Sequence, residues 1–241
     1  MKTFLVPLLF ACVLFFQSCN DDDGAIPEPP TPVTTVTDVD GNVYNIITIG
    51  DQEWMAENLK TQSLNDGTAI TEFIAAPNND DWFFNSASTP MYTWPFTGDL
   101  NNVHDEELPA DYYGLLYSHA ALESGKLAPE GWRIPTEADF RALESYLLNN
   151  GYAAEPSAAL RADFAWIGSD GIGSDEFGFA ALPNGYCTIT GHATGAQAIA
   201  TFHTADFTGE QRMQVSLSPS PDLLFTENDI RFGGAVRCIK E

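Results

Sequence analysis

The residues of this 241-residue chain that could ligate a metal, move a proton or attack a carbon centre are four histidines, 34 carboxylates and four cysteines. His104, His119, His192 and His203 are scattered, none within five residues of another, so no local zinc spacing exists. Carboxylates cluster at 78–81, 99–107 and 170–176. Such loops could take calcium, a hard cation that prefers oxygen ligands, but the charge of the whole chain makes solvated acidic loops the expectation. Asp38-Val39-Asp40-Gly41 opens like a calcium loop. An EF-hand then requires Gly at position six and Glu at twelve, where this chain has Val43 and Ile49; a turn is expected instead. Gly171-Ile172-Gly173 starts a dinucleotide fingerprint whose third glycine position holds Glu176, without the flanking strand and helix that fingerprint needs. No phosphate loop and no Gly-x-Ser-x-Gly elbow occurs. A carboxylate pair for glycoside hydrolysis is defined by spatial separation, and no spacing nominates one. The sequence thus offers no catalytic residue, no metal ligand set and no resident cofactor.

Aromatic side chains are the other candidates. Trp82, Phe83, Trp94 and Phe96 lie in turn-rich sequence, where large rings could stack on sugars or supply core area. Trp82, Trp94 and Phe96 are the ligand-binding candidates, but burial is the favoured reading, because large aromatics supply most core area. Trp54, Trp132 and Phe179 are expected in the core.

The chain opens with Lys2 and an apolar run from Phe4 to Phe16. A basic start and a short apolar stretch read as a secretory signal, too short for a bilayer span of about 20 residues. The junction Phe16-Gln17-Ser18-Cys19 resembles a bacterial lipobox. Residues 1–18 are therefore expected to leave as a signal peptide, and Cys19 to carry palmitate-type acyl chains; several chains bind a membrane far more firmly than one. Asn20-Asp21-Asp22-Asp23-Gly24 resembles the surface-export tag of Bacteroidota lipoproteins, which places the expected location at the outer membrane, facing outwards. Residues 19–37, acidic and then rich in Pro and Thr, read as an extended linker, and 38–241 as the folded domain.

A net charge of −24 repels nucleic acid, whose binding needs Lys and Arg to displace counterions, and it repels anionic headgroups. Nucleic acid is excluded as a partner, and membrane contact falls to the lipid anchor. Cys12 leaves with the leader and Cys19 takes lipid. Cys187 and Cys238 remain, an even pair in an oxidising compartment. They are expected to be bonded, closing a loop of about 50 residues for about 4 kcal/mol; the alternative is two buried free thiols.

Along the domain, Val43, Tyr44, Ile46, Ile47 and Ile49 predict a strand covered on both faces, and Gly50-Asp51 a hairpin turn with the glycine first. Residues 65–112 are loop-rich but too aromatic for disorder. A first helix is predicted over 118–124. A second starts at Thr136-Glu137-Ala138-Asp139, a capping-box pattern, with Phe140, Leu143 and Leu147 on one face. A helical turn is predicted at 157–162. After Asp163 the predicted strands are 179–182, 185–190, 201–204, 214–217 and 235–239. Helices first and strands afterwards favour an α+β fold with a mostly antiparallel sheet.

Several motifs occur in a familiar order: Asp40-Gly41-Asn42-Val43-Tyr44, Ile49-Gly50-Asp51-Gln52-Glu53-Trp54-Met55-Ala56-Glu57-Asn58-Leu59, Tyr113-Gly114-Leu115-Leu116-Tyr117, Pro129-Glu130-Gly131-Trp132-Arg133-Ile134-Pro135-Thr136, Gly178 to Tyr186, and Val236-Arg237-Cys238. From about residue 36 onwards the chain resembles the Fibrobacter succinogenes major paralogous domain. The resemblance implies a secreted or lipoprotein surface domain with a C-type lectin-like fold, two helices flanking a looped antiparallel sheet. It brings no catalytic residues. Ala128 stands where many members have a cysteine, and Ala200-Thr201-Phe202-His203-Thr204 stands in place of a Trp-Trp-Ser-Ser-Thr tract. The expected function is a lipid-anchored surface module that binds a glycan or a protein. A carbohydrate-active hydrolase with dispersed carboxylates and a structural adhesion component are the alternatives.

Overall fold

The computed structural model describes residues 34–95, 108–168 and 171–241. The first sheet runs in the order β1 (Thr35–Thr37), β2 (Val43–Ile49), β3 (Gln52–Met55), β13 (Ile239–Lys240) and β7 (Trp132–Arg133), every pair antiparallel. Gly50 turns the β2–β3 hairpin with φ +61°, the left-handed conformation that glycine adopts without steric cost. Asp38 closes the preceding turn. Its Oδ1 accepts from the Asp40 and Asn42 amides, and its Oδ2 from the Tyr44 hydroxyl at 2.6 Å. Asp40 ties that turn to the 61–63 backbone through the Gln62 and Ser63 amides. The expected turn is therefore present, and its carboxylates are spent on nearby amides and hydroxyls.

The first sheet separates two apolar clusters. Ile49 and Trp54 face the larger one, while Tyr44 and Met55 face the smaller. Successive residues on a strand point to opposite faces, so one hairpin serves both cores. Val43 is the exception among the apolar residues expected to be covered, being 57% exposed.

The second sheet runs β12 (Leu224–Asp229), β11 (Gln211–Leu217), β10 (Ala200–Thr208), β8 (Asn184–Cys187) and β9 (Ala193–Ala196), with β8 and β10 parallel and the other pairs antiparallel. A small third sheet joins β4 (Thr71–Glu72), β5 (Met91–Thr93) and β6 (Leu116–Tyr117). Residues 233–235 tie the parts together by bridging to Cys187, Tyr117 and Phe202.

The helices are α1 (Asp81–Asn85), α2 (His119–Glu123), α3 (Glu137–Asn149) and α4 (Pro156–Leu160). α3 carries the expected capping box, with Thr136 and Asp139 each bonding the other's backbone amide, and it buries Phe140, Leu143 and Leu147. Phe140 packs 5.1 Å from Trp54 and 6.0 Å from Phe202. α2 lies within the helix expected over 118–124 and is capped by Ser118.

The expected α+β, C-type lectin-like arrangement is overturned. Among the described residues the fold is mostly β, three sheets with short helices between them, and only α3 exceeds five residues. The helices read from caps are real, but they cover little of the chain. Several strands leave little trace in the sequence: β4, β5 and β6 are two or three residues long and β12 is polar on one face, so none shows a clear apolar alternation. The strand expected at 179–182 is absent for a local reason. Ala180 has φ +42°, and its amide bonds the Asp175 carboxylate rather than a neighbouring strand.

Candidate functional groove

β11 alternates strictly. Met213, Val215 and Leu217 turn one way, while Arg212, Gln214 and Ser216 turn the other. Of the first set, Val215 and Leu217 join Phe202 and Phe225 in the larger cluster, where the Arg141 guanidinium covers the Phe225 ring at 3.3 Å. The second set looks onto the opposite face of the sheet. Register places Gln214 beside Thr226, Ser216 beside Leu224 and Thr201 beside Ser216.

That face carries a groove of about 270 Å³, near the small end of ligand sites. It is lined by Tyr186, Ile199, Thr201, Gln214, Ser216, Leu224, Thr226, Asn228 and Phe232. Six of these side chains, Tyr186, Thr201, Gln214, Ser216, Thr226 and Asn228, are uncharged hydrogen-bonding groups, and the lining includes no Asp, Glu, Lys or Arg. Gln214 is buried. Its Oε1 accepts from Asn228 Nδ2 at 2.9 Å, and its Nε2 lies 3.4 Å from His203 Nδ1. Thr201 Oγ1 and Ser216 Oγ are 3.3 Å apart. No described residue bonds the Tyr186 phenol or the Thr226 hydroxyl, so both remain available to a ligand. The Tyr186 and Phe232 rings stand 5.9 Å apart, tilted by 46°, and close one side of the groove.

Both rings are held by backbone. Tyr186 rests on Gly195, where an added Cβ would approach its Cε1 to 3.3 Å. Phe232 is held by its neighbour: Gly233 and Cys187 exchange both backbone hydrogen bonds, at 2.8 and 2.9 Å. A Cβ on Gly233 would come within 2.7 Å of Trp82 Cζ2. Trp82 Nε1 in turn donates to the Arg231 carbonyl at 2.7 Å.

The structure places Trp82 and Trp94 away from this groove. Trp82 is fully buried, packed 5.6 Å from Phe73, and supports the 231–233 segment from beneath. Its nitrogen finds a carbonyl partner there, the usual fate of a buried indole. Trp94 is half-buried, edge-on to Tyr92, with Nε1 bonded to Glu72 at 3.1 Å; it does not line the groove. Phe96 and Cys19 lie outside the described residues. The expected Cys187–Cys238 disulfide is not formed. Both are free thiols, Cys187 in the larger cluster beside Trp82 and Cys238 in the smaller beside Tyr44. Burial pushes both thiols far above their ordinary range, which makes them poor nucleophiles. Tyr186 and Phe232, the rings that do shape a groove, were not singled out in the sequence.

Titratable groups gather elsewhere. Arg212, fully buried, bonds Glu123 at 2.7 Å, His119 Nδ1 at 2.8 Å and the Thr204 carbonyl at 2.7 Å. Burial, and then the Arg212 charge, lower both histidines nearby, His119 and His203, the latter to about 3. A second concavity, of about 370 Å³, brings Glu137, Asp206 and Glu227 together, but the Asp206 carboxylate accepts the Glu137 amide and so serves the α3 terminus. Burial raises the Asp175 carboxyl, yet Asp175 does not line either concavity. Among the described residues no group of three or more His, Cys, Asp or Glu side chains could hold a metal ion.

A β-rich domain with an uncharged, aromatic-edged groove on one sheet face is the class these features define. The chain belongs to the Fibrobacter succinogenes major domain family, whose model matches residues 47–240. No curated protein and no solved structure matches it.

Proposed function

We propose that this chain is a lipid-anchored cell-surface module that binds carbohydrate in the groove between Tyr186–Phe232 and β12. The observation that carries the reading is the pairing of two packed aromatic rings with amide and hydroxyl side chains. Sugars offer just the complementary surfaces, C–H faces for rings and hydroxyls that both donate and accept. The absence of a carboxylate from the groove lining favours binding over glycoside hydrolysis, which needs two. Recognition of this kind calls on no metal, so added calcium or a chelator leaves affinity unchanged. Cys19, in its lipobox-like context, supplies the anchor, and the acidic run after it supports display on the outer face of the outer membrane.

The test is a glycan array probed with the wild-type chain and with Tyr186→Ala. Wild type is expected to retain a defined set of glycans that the variant loses while keeping its circular dichroism spectrum. An empty array for the wild type, or identical profiles for both proteins, would overturn the reading.

A further inference from the structure

We infer that the groove selects neutral sugars and rejects uronates and sulfated glycans; this rests on the carbohydrate reading above. An anionic sugar entering the groove would leave water and need a cation there, because an unpaired charge in a desolvated site is strongly disfavoured. Among the described residues none lines the groove. Arg231, one residue from Phe232, is committed to Asp229, with Nε 2.8 Å from Oδ1, and its guanidinium lies over the Phe83 ring at 4.7 Å. Arg212 shares the groove-side alternation of β11, but it is fully buried and already bonded to Glu123, His119 and Thr204. The side chains that do face the ligand, among them Thr226, Asn228 and Gln214, are neutral.

The surrounding field acts in the same direction. A chain of net charge −24 repels an approaching anion over about a Debye length, ~10 Å at moderate salt. A neutral pyranose feels neither penalty. Its hydroxyls meet amides and hydroxyls that can each donate or accept, so recognition depends little on salt.

The measurement is calorimetric titration of the full chain with three probes of matched length: neutral hexose oligomers, N-acetylhexosamine oligomers and oligogalacturonates, at 20 and 300 mM NaCl. Expected is binding of at least one neutral series with a Kd that moves less than twofold between the two salts, and oligogalacturonate binding at least tenfold weaker. Thr226→Lys is expected to narrow that ratio by improving the anionic ligand. Oligogalacturonate binding as tightly as the neutral series, or neutral binding that weakens steeply with salt, would overturn the selectivity and leave the carbohydrate reading standing. Silence with every probe would overturn both.

Discussion

The indole of Trp82 lies against Gly233 so closely that there is no room for a methyl group between them, and the same indole holds the Arg231 carbonyl. A ring buried in the core therefore sets the height of Phe232 at the groove edge. Gly233→Ala is expected to cost about 1–3 kcal/mol, the usual penalty for overpacking a filled core, and to weaken ligand binding by displacing Phe232. Trp82→Phe shrinks the ring at the point of contact. In a double-mutant cycle the pair is expected to lose less than the sum of the single variants, as read from urea denaturation. Simple additivity would show that the two residues do not bear on each other.

His203 gives the protein an acid sensitivity above the carboxylate range. Burial and the Arg212 charge hold its imidazole at about 3 in the fold, against about 6.5 in an unfolded chain. Between those values the unfolded state binds the extra proton, so stability falls as pH falls. The loss approaches about 1.4 kcal/mol per pH unit once pH is below 6.5. Urea denaturation at pH 7 and pH 5 should show the drop for wild type and a smaller one for His203→Gln, with the lowered His119 accounting for part of what remains.

Asp139 works in the opposite direction. Burial alone would raise its carboxyl, but the Arg133 pair and the Thr136 hydroxyl and amide override that and hold it at about 2. Its contribution is present above the unfolded value near 4 and is lost as pH falls towards 2. Asp139→Ala removes the capping box and is expected to cost about 1–2 kcal/mol at pH 7. The gap between variant and wild type should narrow at pH 3.

Thiol chemistry distinguishes the two readings of Cys187 and Cys238. Alkylation of the unreduced protein in denaturant, followed by peptide mapping, is expected to label both residues. In the native state neither should react at a useful rate, because both are buried. Unlabelled peptides linked through sulfur would restore the disulfide.

The anchor is checked in cells. Incorporation of a clickable palmitate analogue is expected for the wild-type precursor and not for Cys19→Ala. Antibody access on intact cells reports which face of the membrane displays the domain.

Local chemistry was legible in the sequence where one short segment carries the whole signal. Thr136 and Asp139 announced the start of α3, Ser118 lay at the predicted start of the α2 helix, and Gly50 turned its hairpin. The groove was harder to see because its residues come from β8, β10, β11, β12 and the segment after it, joined only by register. One signal was present: the alternation of Arg212, Gln214 and Ser216 with Met213, Val215 and Leu217 marks a strand with a polar face. Leu224 to Asp229 hid better, since Thr226, Glu227 and Asn228 read as a turn until β11 pairs with them. Trp82 is ambiguous in sequence because turn formers surround it, whereas its neighbours in space are Phe73, Cys187 and Gly233.

β1 bears on how the module would carry mechanical load. It is the outermost strand of the first sheet, paired with β2 alone through Thr35, Val36 and Thr37. Tension drawn through the N-terminal segment meets those three residues first. The strands that shape the groove belong to the other large sheet. Pulling on the N-terminal side is therefore expected to peel β1 from β2 while the sheet that carries the groove keeps its pairing.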